Sequence, residues 1–333
     1  MPVRARAFWL SSPGHGEIRT VTVPPPGEDE VLVRTVHSAV SRGTETLVFR
    51  GGVPPGQHQA MRAPFQEGEF PGPVKYGYLN VGVVESGTPE LVGRTVFCLY
   101  PHQTRYVVPA HAVVPVPDGV PPARAVLAGV VETAVNALWD AAPLVGDRIA
   151  VVGGGMVGCA VAAVLARFPG VRVQLVDTDP SRAAVADAFG VGFASPDGAA
   201  GGCDLVVHAS ATSDGLARSL ELLVPDGVVV ELSWYGNRPV AVPLGDVFHS
   251  RRLTVRSSQV GSVSPARRDR RSTRDRLALA LELLTDARFE TLISGESGFE
   301  QLPQLLAELA AGERAALCHR IRYDQTESDP AGE

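Results

Sequence analysis

Six consecutive residues carry the clearest chemistry. Gly153-Gly154-Gly155-Met156-Val157-Gly158 follows the apolar run Ile149 to Val152 and leads into an alanine-rich apolar stretch. A strand, then glycines, then a helix is the order that the pyrophosphate of a dinucleotide requires. Gly153 permits a tight turn, Gly155 lets the backbone approach the phosphates, and Gly158 lets the helix pack close on the strand. Met156 and Val157 open the helix, whose free N–H groups and partial positive charge favour an anion. A second apolar run ends at Asp177, placed to accept hydrogen bonds from the adenosine ribose hydroxyls. Its charge repels a 2′-phosphate, so NAD is expected. Arg182 keeps NADP open, because a guanidinium can pair with that phosphate. The chain also holds 30 lysines and arginines, of which only Lys75 is lysine. That exception marks it as a candidate for chemistry that arginine cannot do, since arginine does not give up its proton.

The elements that position these residues change character along the chain. Up to about residue 120 the pattern is short strands and turns: Val31 to Val36, Val81 to Glu85, Tyr106 to Val108 and Val113 to Pro117. An irregular, proline-rich segment runs from Gly51 to Lys75, of a length that marks a functional or mobile loop. From about residue 125, apolar runs alternate with helical periods. The spacing predicts strands at 148–152, 171–176, 204–208 and 227–232, and helices at 156–168, 180–190 and 214–223. Such alternation implies βαβ units and a parallel sheet. Two further helices are expected at 267–284 and 303–311. The first begins with the basic run RRDRRSTRDR, read as a solvated face rather than a phosphate site. Residues 324–333 read as a disordered tail.

Composition excludes several classes. The 333 residues are 45 % hydrophobic and 20 % charged, with a net charge of −6. That is an ordinary globular balance with no basic footprint for nucleic acid. The opening MPVRARAFWL turns polar too soon for a signal peptide, and no apolar run is long enough for a membrane helix. The cysteines Cys98, Cys159, Cys203 and Cys318 form no CxxC pair, so neither a zinc finger nor a disulfide scaffold is expected, and a cytoplasmic setting is.

With Gly43-Thr44-Glu45, Gly51, Gly77 to Glu85 (GYLNVGVVE), Glu132-Thr133-Ala134 and the glycine motif together, the chain resembles the medium-chain dehydrogenase/reductase superfamily. Within it, SRGTETLVFRG is most similar to the bacteriochlorophyllide side-chain dehydrogenases. The resemblance implies an α/β chain with a GroES-like, mostly-β catalytic domain at 1–130. A doubly wound Rossmann domain follows at 131–257, and the chain returns to the catalytic domain at 258–323. It also adds Thr133 to the cofactor-binding residues. The chain departs from the zinc members at each ligand position: Arg42 stands for the cysteine, Tyr78 for the histidine and Gly129 for the third ligand. None of the three is a zinc ligand, so no metal is expected.

Without a Lewis acid, the oxygen that gains charge during hydride transfer needs another partner. The expected catalytic set is Thr44, Tyr78, Lys75 and Arg42. Thr44 matches the family hydroxyl that passes a proton between substrate and nicotinamide ribose. Tyr78 is the proton donor, with the Lys75 ammonium lowering its pKa. Arg42 either polarises the carbonyl or pairs with Glu45. Tyr100, His102 and Glu132 are the expected substrate residues, although Glu132 also suits a cap for the helix at 133–138. The expected function is zinc-independent, NAD(H)-dependent interconversion of a secondary alcohol and a ketone on a small metabolite, of the kind met in specialised metabolism. Two alternatives stay open: a zinc-free ene or quinone reductase using NADPH, and a non-catalytic dinucleotide-binding protein. The apolar strand 227–232, read as a sheet edge, suggests a homodimer.

Overall fold

A computed structural model describes residues 1–324. The chain divides into two compact units: Met1–Gly129 together with the chain from Ile293 onward, and Val130–Leu292.

The first unit is mostly β. Its strands are β1 (Val3–Ser12), β2 (His15–Val23), β3 (Glu30–Ser41), β4 (Glu67–Gly68), β5 (Val74–Lys75), β6 (Asn80–Gly87), β7 (Thr95–Cys98), β8 (Arg105–Pro109) and β9 (Val113–Pro115). The helices α1 (Arg42–Phe49) and α2 (Pro122–Ala125) accompany them. β3 is the spine: it pairs antiparallel with β6 and also with β8. Its inward residues Val31 and Val33 pack with Val84, Val96, Tyr106 and Val108. Each such side chain contributes about 1.5–3 kcal/mol when fully buried. The proline-rich segment is tied down at its end, where β4 pairs with β5 and Val74 pairs with Leu10 of β1.

The second unit begins within α3 (Ala128–Ala141). It continues through β10 (Arg148–Val152), α4 (Met156–Leu165), β11 (Arg172–Val176), α5 (Arg182–Phe189), β12 (Gly192–Ala194), β13 (Cys203–His208), α6 (Ser213–Glu221), β14 (Leu223–Glu231), β15 (Thr254–Ser257) and α7 (Thr273–Leu283). All neighbours in its sheet are parallel, in the order β12-β11-β10-β13-β14-β15. This is a doubly wound sheet whose order reverses between β10 and β13. Continuous apolar runs such as RIAVV suit strands covered on both faces, and Ala150, Val152, Val206 and Val229 lie in one core cluster.

The chain returns to the first unit as β16 (Ile293–Gly298), α8 (Leu302–Ala311) and β17 (Cys318–Arg322), with β17 pairing antiparallel to β3.

Several expectations need correction. The return begins at Ile293 rather than at 258, because α7 stays in the second unit. A reason is Arg276, which is 1 % exposed and bonds Glu132 and Asn136 of α3. The basic run is therefore not wholly a solvated face. The helix expected at 267–284 starts at Thr273, because Ser272 and Asp275 form a reciprocal capping box. The helix expected to reach residue 168 ends at Leu165, and the chain turns at Gly170 in the left-handed region. Strand 227–232 is no edge: β14 lies between β13 and β15. Except for Asp324, the expected tail lies outside the described residues.

Candidate active site

Ser41 ends β3 and α1 begins at Arg42, which sets the polar residues of the first unit. Glu45, in the first turn, folds back so that its Oε1 accepts the Ser41 N–H at 2.7 Å. Its Oε2 lies 2.9 Å from His102 Nε2, and His102 Nδ1 lies 2.7 Å from Ser38 Oγ. Ser38 Oγ in turn meets the Tyr323 hydroxyl at 3.0 Å. Glu45 and His102 are almost wholly buried. Arg42 is exposed, so the expected Arg42–Glu45 pair gives way to Glu45–His102. His102 is thus a buried packing and hydrogen-bonding residue of this unit rather than a side chain open to a substrate.

Tyr78 belongs to the same cluster. Burial pushes its phenol up to about 12, the Glu45 charge adds to this, and hydrogen bonds with Ser41 and Thr44 oppose it. The phenol is therefore fully protonated near neutrality. Lys75 does not lower it. The ammonium turns elsewhere, toward Glu67, Gln103 Oε1 at 2.7 Å and the Tyr100 hydroxyl at 3.3 Å. Lys75 is only 2 % exposed, and burial lowers its pKa against the opposing Glu67 carboxylate. Tyr100 stacks on Tyr106 with ring centres 3.8 Å apart and is 7 % exposed. The structure thus gathers Thr44 with Tyr78, and places Lys75 with Tyr100 in a second group.

A side chain at Gly129 would point among Leu79, Phe97 and Leu99. Among the described residues no group of three or more histidines, cysteines or acids could hold a metal.

The second unit carries the glycine loop between β10 and α4. A Cβ on Gly158 would collide with the carbonyl oxygen of Gly153, so no larger residue lets α4 sit this close. Gly155, the residue before α4, has open space where a Cβ would be, as a phosphate-binding loop needs. Asp177, past the end of β11, accepts the Gly154 N–H at 2.5 Å and the Asp179 N–H at 2.8 Å. Arg182 pairs with Asp179 at 3.1 Å. These residues fit a dinucleotide: glycines at the loop, a helix start, and a carboxylate beyond the second strand. Met156 and Val157 form the first turn of α4.

Glu132 does not cap a helix but lies inside α3, where its Oε1 receives Arg276 Nε at 3.0 Å. Burial pushes its carboxyl up to about 7 against the pull of Arg276. The carboxylate is committed to that buried pair. Thr133 follows it on α3, partly buried.

One further group has no motif to mark it in the sequence. His208, the last residue of β13, is wholly buried and lies between Glu231 Oε2 at 2.6 Å and Ser210 Oγ at 2.7 Å. A histidine closing an otherwise apolar strand, with a glutamate closing the next apolar strand, was the available signal.

No family model matches the sequence, and no curated protein does. Solved structures do match along nearly the whole chain. L-idonate 5-dehydrogenase from Escherichia coli K-12 has a TM-score of 0.80 at 15 % identity, covering 97 % of this chain and 99 % of that one. A zinc-binding dehydrogenase, so described provisionally, from Sinorhizobium meliloti and bound to NADP has a TM-score of 0.77 at 17 % identity, covering 96 % and 99 %. An alcohol dehydrogenase from Escherichia coli CFT073 complexed with NADH has a TM-score of 0.75 at 16 % identity, covering 96 % and 99 %. The fold is that of these dehydrogenases.

Proposed function

We infer that this chain, with the fold of the medium-chain dehydrogenases/reductases, is a nicotinamide-dependent oxidoreductase. It interconverts a secondary alcohol and a ketone on a small metabolite, uses no zinc, and favours NAD(H). The observation that carries the reading is Tyr78. It stands where zinc members have a histidine ligand, and burial with the nearby Glu45 charge keeps it protonated.

When bound, the nicotinamide supplies or takes up the hydride. The chain's own residues handle the charge on oxygen. Tyr78 Oη–H donates to the carbonyl oxygen as negative charge grows there, the task a metal performs in zinc members. A donor that is itself neutral costs less to bury than an ammonium. Thr44, hydrogen-bonded to the phenol, relays a proton from solvent to Tyr78 Oη after each reduction, its own Oγ–H passing to the phenolate as it takes one up. Two features support NAD over NADP: Asp177 brings negative charge to the ribose position, and Arg182 is engaged with Asp179.

No helix among the described residues is long and apolar enough to cross a membrane. The four cysteines are free and buried, which accords with a reducing compartment such as the cytoplasm. A homodimer remains part of the proposal, with the exposed strand β15 in place of β14 as the available edge.

The test is turnover of a ketone panel with NADH and with NADPH, on protein whose zinc content is measured before and after chelation. Tyr78→Phe should lower turnover about 100-fold, the scale of a lost proton donor, with NADH affinity unchanged. Wild-type turnover in that variant, or activity lost with stoichiometric zinc, overturns the reading. Reduction of enones alone with NADPH would make the chain an ene reductase. NADH binding without turnover would make it a binding protein.

A further inference from the structure

The group that ends β13 and β14 has an arrangement that dinucleotide binding does not ask for. Ser210 Oγ, His208 and Glu231 stand in series: Oγ is 2.7 Å from His208 Nε2, and His208 Nδ1 is 2.6 Å from Glu231 Oε2. Glu231 is held from two further directions. Its Oε1 accepts the Ser233 N–H at 2.7 Å, and its Oε2 accepts the Tyr235 hydroxyl at 3.0 Å, so the carboxylate is fixed before it meets the histidine. Burial raises its pKa, but the hydrogen bonds and charge of His208, with Ser233, outweigh this and leave it below the ordinary carboxylate value. An ionised Glu231 fixes the tautomer: Nδ1–H donates to the carboxylate, and Nε2 is left to accept from Ser210 Oγ–H.

The backbone presents the serine. The chain leaves β13, turns sharply, and enters α6. Ala211, next to Ser210, has φ 54°, the left-handed region that residues with a Cβ seldom occupy. A strained strand–turn–helix is how a fold exposes a serine at the carboxyl end of a parallel sheet. Ser210 is partly exposed, whereas His208 is not. Ser210 Oγ also lies 2.9 Å from Thr212 Oγ1, which accepts the Gly215 N–H at 3.0 Å and caps α6. The hydroxyl therefore lies beside the N-cap of α6. Gly215 completes the fit: a Cβ there would collide with Ser210 Oγ and come within 2.9 Å of His208 Nε2. Gly153 backs the turn, since its Cβ would lie 2.5 Å from the Ser210 nitrogen.

We propose that Ser210, His208 and Glu231 form a nucleophilic triad that hydrolyses small activated esters at the mouth of the dinucleotide crevice. Ser210 Oγ attacks the ester carbonyl carbon while His208 Nε2 takes its proton, and the carbonyl electron pair moves onto oxygen. The C=O bond re-forms, the bond to the alkoxy oxygen breaks, and His208 gives its proton to the departing alcohol. Water then attacks the acyl-serine, His208 accepts its proton and returns one to Ser210 Oγ, and the acid leaves. Ester plus water become acid plus alcohol, with no redox partner needed. The proposal does not depend on the alcohol–ketone chemistry inferred above. Ser210 lies against the glycine loop, where a Cβ on Gly153 would come within 2.5 Å of its nitrogen, so NADH should compete with the ester.

The test uses the full chain, p-nitrophenyl acetate as substrate, and a fluorophosphonate probe followed by peptide mass spectrometry. The expected result is hydrolysis that falls about 100-fold in Ser210→Ala and in His208→Gln. The adduct should lie on Ser210 and be suppressed by NADH. Melting temperature and NADH fluorescence titration show whether each variant is folded and whether the crevice is intact. Unchanged hydrolysis in Ser210→Ala, or an adduct on another residue, overturns the proposal. So does a wild type no faster than buffer while Ser210→Ala weakens NADH binding; the group would then serve the dinucleotide alone. Failure of NADH binding with Ser210-dependent hydrolysis retained would instead strike the inferred cofactor and leave the triad standing.

Discussion

The two units build their polar sites by different means. In the second, the loop between β10 and α4 is made of backbone: Gly153, Gly155 and Gly158 act through what they lack. In the first, the group around Tyr78 is made of side chains from distant segments, joining Ser38, Glu45, His102 and Tyr323 through antiparallel pairing of β3 with β17. A backbone site is contiguous in sequence and tolerates no side chain. A side-chain cluster is dispersed, and each member has other possible partners. The two should therefore fail differently under substitution.

The sharpest way to break this contrast is Gly158→Val. Its first side-chain carbon would collide with the Gly153 carbonyl, which is main chain and has little freedom to yield. NADH binding followed by fluorescence should fall by more than about 100-fold, roughly 2.7 kcal/mol on the binding scale. The site of the first unit should be unaffected in its Tyr78 titration. A variant that binds NADH within threefold of wild type would show that the helix does not need this close approach.

The same contrast explains what could be read before the structure. The loop, strands 148–152 and 204–208, and Asp177 were legible, because apolar runs buried on both faces and glycines at a fixed spacing leave one arrangement open. Lys75 and Tyr78 lie three residues apart, yet their side chains join different groups. Proximity along the chain could not separate them, since extended residues alternate faces and an ammonium follows the nearest carboxylate, here Glu67. Arg276 was hidden in a run of like residues. Only tertiary packing distinguishes the arginine that turns inward to Glu132 from those that stay in water. His208 was passed over because a single histidine after LVV gives no periodic signal, and its partner Glu231 comes from the next strand.

Arg276 makes the second test, intermediate in size. It bonds Glu132, Asn136 and the Val260 and Ser262 carbonyls from a buried position. Arg276→Leu leaves Glu132 inside without its cation, which should cost about 3–5 kcal/mol in denaturant unfolding. Removing both charges, with Glu132→Leu added, should recover most of it. The loss should depend on pH with a known sign. Burial without Arg276 raises the folded-state pKa of Glu132 above its unfolded value, so the variant keeps its stability in acid and loses it as pH rises through the folded pKa. If Arg276→Leu is no weaker at pH 8 than at pH 5, the carboxylate is not the group left unpaired. The second unit would then depend on its backbone far more than on this buried pair.

The smallest effect tests the side-chain cluster from within. Glu45→Gln keeps an acceptor for the Ser41 N–H, turns an amide N–H toward His102 Nε2, and removes the charge that helps burial push Tyr78 up to about 12. The phenol should then ionise at lower pH. With Tyr78 as the proposed proton donor, the alkaline loss of ketone reduction should begin earlier, by about half a pH unit, or some 0.7 kcal/mol at the phenol. Turnover at pH 7 should change less than threefold. Lys75→Met supplies the contrast, because that ammonium lies with Glu67, Tyr100 and Gln103 and should leave the alkaline limb where it is. A limb that moves up in Lys75→Met and stays fixed in Glu45→Gln would reverse the assignment. The lysine would then govern the phenol from a distance, and the grouping of side chains in the first unit would no longer account for its chemistry.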